Sequence, residues 1–183
     1  MIDVKISKNQ IRKLIETHIT TGKNSAAVKV PLDLLTPYLG SLRAMHLWFH
    51  AAHNLTKGTG FTGDHVNLYG QIYVDLQDDL DAAIEKAIGL SGDERAGCPI
   101  ELTKYALEII KLYPSPTNAK ARDIVAAGIE MLHGHIDLLT ELHGVLEQRK
   151  LLTLGLEDLL AGAANRYEGY LYLLTQRSKN QLD

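Results

Sequence analysis

Apolar residues recur along most of this chain at three- and four-residue intervals, the spacing that gathers side chains onto one stripe of an α-helix. Leu35, Leu39, Leu42, Phe49 and Ala52 make the first long stripe. It predicts a helix from Leu32 to about Lys57, with Pro31 well placed beside the first turn and Pro37 tolerated near the start. Gly58, Thr59, Gly60 and Gly63 then break the pattern. A second helix is predicted from Asp64 to Leu90, closed by Ser91 and Gly92, and Gly70 is a weak point inside it that could host a bulge. A linker over 93–99 leads to a short amphipathic helix over 100–112, stopped by Pro114 and Pro116. A third long helix fits 118–148 on the stripe Ile124, Met131, Leu138, Leu142 and Val145. A fourth fits 156–177 on Leu156, Leu160, Ala163, Tyr170 and Leu174. Four long helices with an extended link between the second and third describe an all-α four-helix bundle with one long crossover. Residues 1–31, with a short helical pattern over 9–19 and a polar stretch after it, are expected to be an N-terminal arm, and 32–183 the bundle.

Composition narrows the function classes. The 183 residues are 45% hydrophobic and 22% charged, which suits one domain with a real core and excludes a disordered chain. No stretch approaches the roughly 20 apolar residues of a membrane span; the best candidate, from Leu151, is interrupted by Glu157 and Asp158. No membrane partner is expected. Asp3, Lys5, Lys8, Arg12 and Lys13 leave no signal-peptide pattern at the start, so a cytoplasmic protein is expected. The single cysteine, Cys98, can make neither an intrachain disulfide nor a thiolate zinc cluster. A formal charge of -3 gives no global drive toward nucleic acid.

The informative segment runs from His50 to His65. His50, His53, Lys57, Gly58, Phe61 and His65 sit at the end of one predicted helix, in the turn and at the start of the next. This pattern resembles the signature of the Dps-type mini-ferritins, close to His-x-x-His-Trp-x-x-Lys-Gly-x-x-Phe-x-x-x-His. The resemblance extends over most of 32–177 through the short helix after Cys98-Pro99 and the last helix around Tyr167 to Leu171, although only the first motif is specific. It implies a ferritin-like four-helix bundle with a short helix in the loop between its second and third helices. It also implies an Fe(II) site in which His53 and His65 meet a carboxylate pair four residues apart on the second helix. Asp81 and Glu85 have that spacing, one residue further from His65 than the pattern expects; an insertion near Gly70 reconciles both ends. Two departures imply weaker iron oxidation: Asn54 stands where tryptophan is expected, and Tyr69 where an acidic residue is expected.

Imidazole and carboxylate suit Fe(II), which is borderline in softness. Asp81, however, lies about 24 Å from His65 along an α-helix. One chain cannot easily close that site, whereas an antiparallel two-fold partner can. The implied function is an iron-binding ferroxidase and iron store. It would oxidise Fe(II), preferably with hydrogen peroxide, inside a hollow homo-oligomer of twelve subunits, and so limit oxidative damage. The alternatives are a structural or weakly catalytic ferritin-like shell, or a ferritin-like enzyme with an internal di-metal site.

Other readings of the same residues stand beside these. His53 and His65 could be helix-terminal histidines, and Asp81 and Glu85 plain surface carboxylates. His46, His50 and His53 share one helix face, either as an internal metal set or as buried, hydrogen-bonded histidines. Glu130 and His133 match the Glu-x-x-His of internal di-iron sites, but they fall about 120° and 180° from their helix's apolar stripe. Glu168 lies beside its own stripe. DNA is a further possible partner of the family; here Lys5, Lys8, Arg12, Lys13, Lys23 and Lys29 are sparse, so any binding should be weak and salt-sensitive.

Overall fold

The computed structural model describes residues 28–179, all of whose regular structure is helical. Helix α1 is Leu32–Leu55. A π-helical segment, Gly63–Tyr69, runs directly into α2, Gly70–Ser91. A 3-10 turn, Glu94–Gly97, leads to the short α3, Pro99–Ile110, and then come α4, Ala121–Gln148, and α5, Leu154–Ser178. The expected helix over 9–19 and most of the basic arm lie outside the described residues. No described helix is long and apolar enough to cross a membrane.

Each boundary has a local cause. Gly92 closes α2 with φ of 70°, a left-handed conformation that costs glycine little, and returns its N–H to the Ile88 carbonyl at 2.8 Å. Thr153 opens α5 by accepting the Leu156 N–H on its hydroxyl. Pro99 occupies the first turn of α3, where a missing N–H is harmless.

Helices α1 and α2 form one antiparallel pair and α4 and α5 the other; α1 packs on α4 and α2 on α5 to close the bundle. The long crossover carries α3 along the outside of α1, and the Trp48 indole N–H fastens it by donating to the Pro114 carbonyl at 2.9 Å. The expected stripes of α1 and α5 are fully buried. The stripe of α4 is rotated from expectation. Leu138 and Val145 are only half-buried, while Val125, Leu132, Leu139 and Leu146 are buried instead.

The rotated α4 stripe brings His135 into the core. Its Nδ1 lies 2.8 Å from the Ser41 hydroxyl of α1, and its ring sits between Tyr38 and Tyr167. Nε2 has no partner. Burial pulls the His135 pKa down to about 3.

That depression makes stability pH-dependent with a definite sign. An unfolded His135 takes up a proton below about pH 6.5, whereas the folded one does not until about pH 3, so acid favours unfolding across that window. Stability should be complete above pH 6.5. It should then fall by about 1.4 kcal/mol per pH unit from this residue, or about 3 kcal/mol by pH 4. Urea titrations of the wild type and His135→Leu at both pH values check this: the variant should lack that part of the acid loss.

Candidate metal centre

His53 near the end of α1 and His65 in the π segment hold each other in place. His53 Nδ1 lies 2.6 Å from the His65 carbonyl oxygen, and His65 Nδ1 lies 2.7 Å from the His53 carbonyl oxygen. A carbonyl only accepts, so each Nδ1 carries a proton and donates it, and Nε2 is the nitrogen of each ring outside these bonds. The rings stack at 3.8 Å between centroids, 17° from parallel. Phe61 stacks on His65 at 5.0 Å, and Tyr73 packs against His53 at 5.0 Å. Both imidazoles remain half-buried, reachable from outside.

The π segment makes this possible. A π turn takes one residue more than an α turn, so it absorbs the extra residue near Gly70 and restores the register of everything downstream. The Gly70 N–H closes the segment on the His65 carbonyl, the same oxygen that accepts from His53. A side chain at Gly70 would not fit: its Cβ would lie 2.7 Å from that oxygen and 3.2 Å from His53 Nδ1. The predicted weak point is therefore the place where the helix changes type. Tyr69, the departure from the expected acid, is turned into the core beside Phe49 and offers nothing to His65.

A buried ion pair holds the turn from the other side. Arg177 near the end of α5 donates from Nε to Asp64 Oδ1 at 2.7 Å and from Nη2 to Asp64 Oδ2 at 3.0 Å. Asp64 is only 3% exposed, and that guanidinium supplies both of its oxygens with a donor in place of water. No sequence pattern announces this pair, because 113 positions separate its members.

Helix α2 carries two kinds of carboxylate. Asp75 and Asp79 face α5, where they accept hydrogen bonds from the hydroxyls of Tyr170 and Tyr167, and Arg166 lies 3.5 Å from both. These acids are committed to holding the helices together. Asp81 and Glu85 are exposed, on a face they share with Val74 and Asp78. Gly70 to Asp81 is about 16 Å of α-helix, so the two acids do not meet His53 and His65 within the chain. Among the described residues, no three histidine, cysteine, aspartate or glutamate side chains could hold one metal ion together.

The other sequence candidates separate cleanly. Glu130, His133 and Glu168 are exposed on the outside of their helices. His50 is exposed and His46 half-buried, so neither belongs to an internal set. The buried histidine is His135, whose position only the rotated α4 stripe reveals.

Gly70→Ala should therefore destabilise the fold by about 1–3 kcal/mol through overpacking. It should also abolish the hydrogen-bonded Nδ1–H resonance of His53 in imidazole NMR. Gly63→Ala, whose Cβ would meet nothing within 4 Å, is the control and should leave that resonance unchanged. Equal behaviour of the two variants would show that the close approach at Gly70 is unimportant.

No family model and no curated protein matches the chain. Among solved structures, the tetragonal form of Mycobacterium smegmatis Dps superimposes with a TM-score of 0.66 at 21% sequence identity. The match covers 83% of this chain and 90% of that one. The chain thus has the ferritin-like helical-bundle fold of a Dps protein.

Proposed function

We propose that this protein is a ferroxidase and iron store that works as a closed homo-oligomer, of twelve subunits on the family pattern. Fe(II), its substrate, is taken between His53 and His65 of one chain and Asp81 and Glu85 of a two-fold-related copy. The observation that carries this reading is the histidine pair itself: two imidazoles whose Nδ1 atoms are both spent on carbonyls, leaving Nε2 as the ligand atom, with no carboxylate among the described residues to complete a site.

The stacking suggests how the pair is used. A metal bound to an imidazole lies in the plane of its ring, and two nearly parallel rings 3.8 Å apart cannot both contain one ion in their planes. Each ring serves its own iron, at a separation close to the roughly 3.5–4 Å of two-metal sites. Two Fe(II) ions supply the two electrons that hydrogen peroxide needs. With two protons, the products are two Fe(III) ions and two waters. Exposed apolar residues beside the site, Phe61 at 44%, Val66 at 57% and Val74 at 44%, support a partner that covers this face.

The second reading, a shell with weak oxidation, draws on one residue. Asn54 turns its amide back to the His50 carbonyl at 2.8 Å and puts an exposed polar group where the family pattern has an indole.

Complementation between variants tests the shared site. His65→Ala and Asp81→Ala should each lower initial Fe(II) oxidation about tenfold or more while the bundle stays folded. In a hybrid two-fold dimer, one of the two sites receives both intact halves. Refolded equal mixtures should therefore recover about a quarter of wild-type activity. No recovery in mixtures shown to contain hybrids would overturn the interfacial site. Wild type that forms the oligomer but oxidises Fe(II) no faster than either variant would favour the shell.

A further inference from the structure

The imidazoles on α1 do not end at the His53–His65 pair. His46, His50 and His53 follow one another along the same helix face, and Tyr73 of α2 packs against all three at 6.3, 4.8 and 5.0 Å. His46 and His50 are four positions apart, the spacing at which two helical histidines can grip one ion. A transition metal about 2.0–2.1 Å from a ring nitrogen lies roughly 3.2 Å from the ring centre, so a tetrahedral ion brings two ring centres to about 5.2 Å. The His46 and His50 rings stand 6.3 Å apart, and the exposed His50 ring closes that gap by turning about 1 Å toward His46. His53, 6.5 Å from His50, already spends its Nδ1 on the His65 carbonyl.

We propose that His46 and His50 form a second divalent-metal position on the outer face of α1, taking a borderline transition ion such as Fe(II) or Zn(II) with water in its remaining places. His50 is exposed and its ring nitrogens make no hydrogen bond among the described residues, so this arm is free to turn toward an ion. Among the described residues the one hydrogen bond to the His46 ring comes from Arg43, whose Nη1 donates to Nδ1 across a long 3.4 Å. That guanidinium competes with a metal for the ring and repels it by charge, so Arg43 acts as a brake on the position. Two imidazoles and water bind loosely and exchange quickly. The position then suits handing iron along the face to His53, about 10 Å away along the helix axis from His46; this use rests on the ferroxidase reading, whereas the binding does not.

Zinc, which is redox-inert, is the probe, titrated calorimetrically into the full metal-free chain at pH 7.5. The His53→Ala/His65→Ala double variant should still take up one zinc per chain in the micromolar range. Adding His50→Ala should weaken that binding about tenfold or more, and adding Arg43→Ala instead should tighten it several-fold. A zinc-edge anomalous peak should lie about 2.0–2.1 Å from one nitrogen each of His46 and His50. Zinc binding that is identical with and without His50, or an anomalous peak elsewhere, overturns the proposal. Handing-on is read separately: His46→Ala/His50→Ala should slow Fe(II) oxidation at low iron and leave it unchanged at saturating iron. An equal rate at low iron removes the transfer role while the zinc position stands. If the wild type oxidises no Fe(II) but the zinc results hold, the ferroxidase reading falls and the metal position remains.

Discussion

The geometry of the histidine face depends on two imidazole N–H groups that reach across a turn to each other's backbone carbonyl. The His53 carbonyl, in the last turn of α1, lacks an intrahelical donor, and the His65 side chain supplies one from the next element; the His65 carbonyl accepts from both His53 and the Gly70 N–H. Because the bond is reciprocal, neither ring can turn without breaking one of the two. The same two bonds assign both tautomers, orient both Nε2 atoms and set the stacking distance. They also require the chain to come close at Gly70, which a Cβ would prevent, and they are formed within a π turn, which brings His65 to the right height. The Asp64–Arg177 pair then ties this turn to the far end of α5, so that closing the bundle and shaping the histidine pair are parts of one packing problem.

Helix α2 shows how one stretch of acidic sequence can hold both committed and uncommitted carboxylates. Its inner acids, Asp75 and Asp79, are neutralised by Arg166 and by tyrosine hydroxyls. Burial pushes the Asp79 carboxyl up, and the Tyr167 hydrogen bond and Arg166 oppose that rise. The outer acids, Asp81 and Glu85, keep their lone pairs and their hydration. Helical spacing alone separates the two roles, because Asp79 and Asp81 lie about 200° apart around the axis. A carboxylate that is already satisfied makes a poor ligand; an exposed one costs little to recruit.

His135 shows the opposite balance. A neutral imidazole buried between two tyrosines, with one nitrogen unpartnered, gives up hydration without full compensation. The core accepts it because Ser41 satisfies the other nitrogen and the flat ring fills the space between Tyr38 and Tyr167.

Much of this was legible in the sequence. Helical periodicity and the Gly and Pro breakers determined five helices to within a few residues, since apolar recurrence at 3.6 residues per turn and its interruption are both local signals. The His50–His65 motif and the surplus residue near Gly70 pointed to the paired histidines and to a local irregularity, because both are relations between near neighbours along the chain. Tertiary structure decided the rest. It turned α4 so that His135 is buried and Leu138 is not, because several faces of that helix are apolar enough and only contact with α1 and α5 selects among them. It placed the surplus residue in a π turn, where the His65 carbonyl accepts from both His53 and the Gly70 N–H. It paired Asp64 with Arg177 across 113 residues, and gave Asp75 and Asp79 to α5 while leaving Asp81 and Glu85 outside. These are long-range choices between locally equivalent options, and one-dimensional spacing holds no information about which distant side chain arrives to settle them.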